Sequence, residues 1–439
     1  MQNISGSALS GVGAAGSAAE NAVQNTARAY SAYSAPELIM INRGGVHFAL
    51  DEGGAEYARA YETAAAIMRS AYEAETEAAV SSGDSAWRRA LSSDSVYLRY
   101  PCERSAEFDA QFFETKSAEF AKRIPQFSEA VIMQQEDGAP SILIRGKGET
   151  VCIKTKGSPN ALRELIEKHG TEGVPYVFGF EMKNNAETAE TAAYIEPQLA
   201  IPIGAEQAAN IAVNVPWEYK NGIGFTKTTD LTLGLINTFG YNQNTIRRYV
   251  DRDGALVCVG ETGTLSMRSD GTVEYKALDA SEGVSLLPSG QSGSASAYAV
   301  TSGLIGIMER IFGLCGESSD VREYNIRFTQ MPRNMSEDKM IFGFDYFVDG
   351  RMLRLGAGHA VEATVSRGML TEMKMCVKNV EKREETTEIR PAAETAAELC
   401  AVRGEGTRAE SASAVYVFAG DGAELAAERE IQIGREARQ

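Results

Sequence analysis

The sequence predicts an α+β fold in several domains, with helices packed on antiparallel sheets built from hairpins. Three observations carry this. Asp-Gly pairs recur between alternating apolar segments, at Asp253-Gly254, Asp270-Gly271 and Asp349-Gly350. Such turns join neighbouring strands too tightly for the crossover helices of a parallel sheet. Helical spacing of apolar residues is confined to separate blocks, each followed by a run of hairpins, which is the α+β pattern. At roughly 100–200 residues per domain, 439 residues make more than one core.

The elements follow in order. Residues 1–33 contain 18 Ala, Gly or Ser and bury too little apolar surface to offset the entropy of ordering, so they read as a flexible tether. A short helix over Ala18 to Ala32 is the competing reading. An N-terminal α+β domain spans 34–205. It opens on the strand Leu38 to Ile41, a turn at Arg43-Gly44-Gly45 and a second strand to Leu50. Tyr57, Tyr61, Ala64, Ala65, Met68 and Tyr72 recur at three- and four-residue spacing and mark a helix over Ala55 to Ala79. Asp84 to Leu91 is a short capped helix, and Ser95 to Tyr100 a strand ending at Pro101. Strands Glu129 to Gln135, Ser141 to Arg145 and Thr150 to Lys154 form a meander. The helix Pro159 to His169 has Pro in its first turn and Gly170 past its end. Val174 to Phe180 is a strand, and Tyr194 to Pro202 an extended segment with two prolines.

A middle domain, 206–280, holds a helix over Leu231 to Phe239 and strands Leu256 to Gly260, Thr264 to Arg268 and Thr272 to Ala277. The C-terminal domain, 281–439, begins with a Ser/Gly-rich linker. A helix over Ala297 to Leu314 follows, with Val300, Leu304, Ile307, Met308, Ile311 and Phe312 on one face. Strands Tyr324 to Gln330, Met340 to Val348, Met352 to Leu355, Val361 to Ser366 and Met369 to Val380 come next. The tail adds a helix (Ala392 to Val402) and a strand (Ser413 to Phe418).

Composition narrows the chemistry. Lys+Arg number 43 against 60 Asp+Glu, a net charge of −17, which argues against an extended nucleic-acid footprint and against an anionic membrane surface. No run of about 18 apolar residues occurs, so no membrane-crossing helix is expected, and Met1 to Tyr33 lacks the basic start and apolar core of a signal peptide. The six cysteines, Cys102, Cys152, Cys258, Cys315, Cys376 and Cys400, form no C-x-x-C pair that would suggest zinc or redox chemistry. His47, His169 and His359 stand apart, and no H-E-x-x-H, Walker A or G-x-S-x-G occurs. Gly356-Ala357-Gly358 starts like a dinucleotide fingerprint but has no third glycine and enters no helix. Catalytic, cofactor and metal residues are therefore expected to be none. Lys378 to Arg390 reads as the solvated end of a strand or helix. The aromatic density of Tyr97, Tyr100, Phe108, Phe112 and Phe113 offers a candidate partner surface, with a helix–sheet core as the competing reading.

Several segments carry a family resemblance. Pro36 to Gly45, Ser85 to Leu91 with Ser95 to Leu98, Phe239-Gly240-Tyr241-Asn242 leading to Arg248-Tyr249, Asp270 to Tyr275, and Phe342-Gly343-Phe344-Asp345-Tyr346-Phe347-Val348-Asp349-Gly350 resemble the extracytoplasmic YycH/YycI-like proteins of Gram-positive bacteria. The resemblance runs over about residues 34 to 420 in turn-and-strand patterns. It implies a non-enzymatic regulatory or scaffold protein of the cell envelope, restraining a membrane sensor histidine kinase of a two-component system, with a protein partner such as that kinase or a homologous regulator. It also implies an extracytoplasmic location behind one N-terminal membrane anchor, which this sequence does not contain; a cytoplasmic location is the alternative. Competing functions are an extracytoplasmic binding module for a small ligand or cell-wall fragment, and an unrecognised hydrolase.

The thiols give a first test. Alkylation of the unreduced, denatured chain should add six labels by mass spectrometry, because Cys152 and Cys258 lie inside apolar alternation as small core residues. A count of four or fewer would reveal a disulfide.

Overall fold

The computed structural model describes residues 33–73, 80–112, 115, 121, 123–135, 138–146, 149–155, 159–169, 173–217, 230–287, 296–315, 325–333, 339–356 and 358–435. The expected tether lies outside them except for Tyr33. The fold is α+β. Among the described residues the strands form sheets of nine, twelve and three, and every ladder but one is antiparallel. The exception pairs Arg351–Arg354 with Thr407–Val417.

Near the centre of the first sheet lies Leu38–Arg43, a strand whose first four residues are apolar. It pairs with Val46–Ala49 on one side and Ser95–Ser105 on the other. Side chains alternate across it with the strand period. Ile39, Ile41, Val96, Leu98 and Tyr100 pack under the helices Ala55–Glu73 and Pro159–His169. Leu38, Met40 and Tyr97 face the other way, onto Trp87 and Leu91 of the helix Asp84–Leu91. Both faces are thus covered, which is why the central strand reads as continuous apolar sequence.

The second sheet is covered on one side. Met373 and Met375 are buried, whereas the alternating Glu372 and Lys374 are exposed. The buried face packs on Ala297–Cys315, through Val300, Leu304, Ile307, Met308 and Ile311, and on Asp230–Thr238. By length and composition Ala297–Leu314 could also cross a membrane; here it is the core helix of this sheet. Strand Thr272–Ala277 bonds to Met369–Cys376, so the expected domain boundary at 280 falls within one continuous sheet. Two-residue turns set the register: Asp349 and Gly350 (φ 47° and 76°), and Arg367 and Gly368 (φ 51° and 78°), have the left-handed pairs of type I′ hairpins.

Three expectations need correction. The strand from Ser95 does not stop at Pro101 but runs to Ser105. Its ladder with Gln126–Gln134 is interrupted between Arg99 and Arg104, so Pro101, which has no N–H to donate, sits where no ladder bond is required. The charged stretch after Lys378 is an eleven-residue strand, Asn379–Ile389. It pairs with Glu206–Asn214, whose first five residues, Glu, Gln, Ala, Ala and Asn, have poor strand propensity and are held extended by that long-range pairing, while Ile211 and Val213 are buried strand formers. The tail also holds a final strand, Ala427–Arg435, paired to Thr407–Val417.

The two large sheets meet at Arg327. Ile326 and Phe328 point into the second core, so alternation turns Arg327 toward the first half, where it is 1% exposed. It forms an ion pair with Glu52, donates from Nη1 to the Pro36 carbonyl at 2.6 Å, and lies over the Phe347 ring at 4.9 Å. Tyr57 donates its hydroxyl to the same carbonyl. Within the first half Arg104 grips Asp109 at 2.7 and 2.9 Å and donates to the Ser34 carbonyl at 2.9 Å, and beside it Ser105 donates to the Arg333 carbonyl across the seam at 2.5 Å. Arg327→Met should destabilise the chain by about 3–5 kcal/mol in denaturant unfolding, because it leaves Glu52 buried and unpaired. A loss under about 1 kcal/mol would mean that the pair is replaceable there.

Candidate partner surface and cleft

The aromatic residues expected to face a partner are accounted for first. Tyr97 and Phe108 are 0% exposed and Tyr100 4%, so no external protein can reach them. Tyr97 packs edge-on against Phe178 at 5.6 Å and donates to Glu129. Tyr100 meets Phe127 at 6.1 Å and the Arg104 guanidinium at 4.5 Å. Phe108 crosses to the second core and contacts Phe342 at 6.1 Å. Phe108 thus packs between the halves of the molecule, while Tyr97 and Tyr100 belong to the cores on the two faces of the first sheet. The side chain of Phe112 and the whole of Phe113 lie outside the described residues.

Each histidine is paired with a carboxylate. His47 bridges Asn42 and Glu181, at 2.8 Å each, and His169 lies 2.9 Å from Glu56. His359 Nδ1 is 2.7 Å from Asp345 Oδ2, which also accepts from the Thr329 hydroxyl at 2.6 Å. The other Asp345 oxygen takes the Ala360 N–H at 2.8 Å. The His359 ring rests on Gly343, where a Cβ would come within 2.5 Å of it. This hydrogen bond holds His359 above its ordinary pKa, against the opposing effect of burial. Of the cysteines, Cys102, Cys152, Cys258, Cys376 and Cys400 are free thiols. Burial pushes Cys102 up to about 12 and also raises Cys152, Cys258 and Cys376, which keeps these thiols protonated and poorly nucleophilic. Among the described residues no group of three His, Cys, Asp or Glu side chains could hold a metal.

Two exposed features among the described residues bear on binding. Arg247–Val250 ends the second sheet and is exposed throughout, with Tyr249 54% accessible. It pairs with Leu256–Val259, and ladder alternation leaves the backbone groups of Arg248 and Val250 on its outer edge. The other feature is a cleft of about 550 Å³ between the sheets, with Arg99, Gln126 and Arg145 on one wall and Gln198, Glu410 and Arg354 among the residues of the other. Its second wall is assembled locally. The Glu196 N–H donates to the Ala409 carbonyl at 3.0 Å, and Ile195 bridges Ala409. That contact sets Glu196 and Gln198 beside Glu410. Sequence reasoning passed over these residues, since nothing but a lone Gln in the apolar run Ile195 to Pro202 sets them apart.

Comparison with known proteins bears on the fold. No protein-family model matches the chain, and no curated protein matches its sequence. A solved structure does: YycH from Bacillus subtilis superposes with a TM-score of 0.55 at 12% identity, covering 92% of this chain and 96% of that one. The fold is YycH-like. With 92% of the chain covered, the likeness is not confined to one common module.

The Asp345–His359 pair predicts a pH dependence. A raised folded-state pKa means that protonated His359 stabilises the fold fully below its unfolded value near 6.5, and that this contribution is lost as pH rises through the folded value. Thermal unfolding of His359→Gln should therefore fall further below wild type at pH 5.5 than at pH 9. An equal gap at both would remove charge from the explanation.

Proposed function

We propose that this chain is a non-enzymatic regulatory or scaffold protein of the cell envelope, acting by contact on a membrane sensor histidine kinase of a two-component system or on a homologous regulator. The observation that carries the reading is the YycH-like fold across nearly the whole chain, which agrees with the turn-and-strand resemblance of the sequence to the YycH/YycI-like family. Within this reading the protein works outside the cytoplasm, at the membrane, and its influence passes through surface contact.

The exposed edge Arg247–Val250 is the place in the described structure where such a contact would find an aromatic side chain, backbone groups and basic residues together. Interfaces concentrate their energy in a few Tyr, Trp and Arg anchors. A binding module is the second reading, favoured by the cleft between the sheets.

The test is reconstitution. The sensor kinase encoded in the same genome, in lipid nanodiscs, should autophosphorylate more slowly when the purified chain is added. Tyr249→Ala should weaken that effect about tenfold in concentration while leaving thermal unfolding unchanged. A kinase indifferent to the wild-type chain contradicts the proposal.

A further inference from the structure

The strand Arg247–Val250 is the last in the order of the second sheet and is exposed along its length, Tyr249 at 54% and Val250 at 39%. Asp251 donates its N–H to the Ala255 carbonyl at 2.9 Å, which carries the ladder one residue past the strand. By that phase the backbone bonds of Arg247, Tyr249 and Asp251 run inward to the neighbouring strand, and those of Arg248 and Val250 run outward. The side chains of Arg247, Tyr249 and Asp251 share one face. An uncovered edge of this kind is a template for another strand.

Charge decides which strand fits. Two copies related by a two-fold axis bring the same edge together antiparallel, with the outward-facing residues exchanging bonds. Centred on Arg247, Arg248 or Asp251, the pairing sets like charge opposite like; centred on Val250, it sets Arg248 opposite Arg252. Like charges directly opposite are destabilising. Centred on Tyr249, the pairing opposes no like charges. Arg247 then meets Asp251 of the other copy at each end, Tyr249 meets its own copy, and Arg248 and Val250 exchange both backbone bonds.

The side chains are placed for this register. Arg247 is exposed and makes no ion pair among the described residues. Asp251 accepts the N–H groups of Asp253 and Ala255 on Oδ1, at 2.9 and 2.8 Å, which leaves Oδ2 for a guanidinium. The Arg248 guanidinium is engaged by the Gln243 carbonyl at 3.1 Å, so Arg248 enters the pairing through its backbone. From these we infer that Arg247–Asp251 is a self-complementary edge: a second copy of this chain adds the same residues antiparallel, in the register centred on Tyr249, and one sheet runs through both molecules. The overlap is short and each copy carries a net charge of −17, so the dimer is weak and reversible. This goes beyond the kinase contact proposed above, since an edge seated against its own copy is closed to any other strand.

Sedimentation equilibrium of the full chain, from about 10 µM to about 1 mM, tests it without any kinase, so its failure leaves the kinase reading standing. The average mass should rise from that of one chain toward that of two. Arg247→Asp, which turns both ion pairs into like-charge pairs, should weaken association at least about tenfold with thermal unfolding unchanged. Tyr249→Cys reads the register: at a non-hydrogen-bonded pair on the two-fold axis the two thiols lie within disulfide reach, so mild oxidation should give a covalent dimer. Val250→Cys, offset from its own copy, should give none. A chain that stays monomeric throughout leaves the edge to a different protein's strand and overturns the inference. So does a dimer that Arg247→Asp does not weaken, or crosslinking of Val250→Cys as readily as Tyr249→Cys.

Discussion

A guanidinium buried where water cannot reach it is the constraint on which this structure turns. Arg327 sits on a strand of the second sheet, but its charge is satisfied by the first half, through Glu52 and the carbonyl of Pro36. A lone buried cation is costly enough that the halves cannot part without exposing or abandoning it. Its Nε has no hydrogen-bond partner among the described residues, so the pair contributes less to net stability than to fixing one arrangement of the halves. Apolar packing agrees with this, since Phe108 from the first half inserts among Phe342 and the other aromatic residues of the second core.

The consequences for function run through geometry. Fixing the sheets against each other fixes the cleft between them, whose walls belong to different parts of the chain: Arg99 and Arg145 from the first sheet, Arg354 and Glu430 from the second. A contact made at this cleft is felt by both halves, and one made at the Arg247–Val250 edge is carried into a sheet continuous with the seam strand. A protein that regulates by contact needs such a body, because a partner can bias it only if its parts move together.

Much of this was legible in the sequence. Asp-Gly and Arg-Gly turns located the hairpins because the left-handed backbone they require is specific to few residues. Long helices were legible because their apolar spacing is 3.6-fold. What escaped was whatever long-range contact decides. In Glu206–Asn214 only Ile211-Ala212-Val213 alternates as a strand should, and the residues before it are held extended by the pairing with Asn379–Ile389. Arg327 occupies the position that alternation assigns to solvent, and only the docking of the other half buries it. Asp345 in Phe342 to Val348 was the visible exception, a single acid in an apolar strand, and it proves to be the partner of His359. The aromatics near Tyr97 were read as a candidate partner surface with a core as the competing reading, and Tyr97, Tyr100 and Phe108 prove buried, because composition does not tell an external partner from an internal one.

The central claim is that the seam makes one cooperative body of the two halves. Scanning calorimetry of the intact chain tests it most directly, since independent domains unfold in separate transitions. The account predicts a single transition for the wild-type chain, with calorimetric and van't Hoff enthalpies in agreement. Two resolved transitions in the wild type, with neither shifted by Arg327→Met, would contradict it.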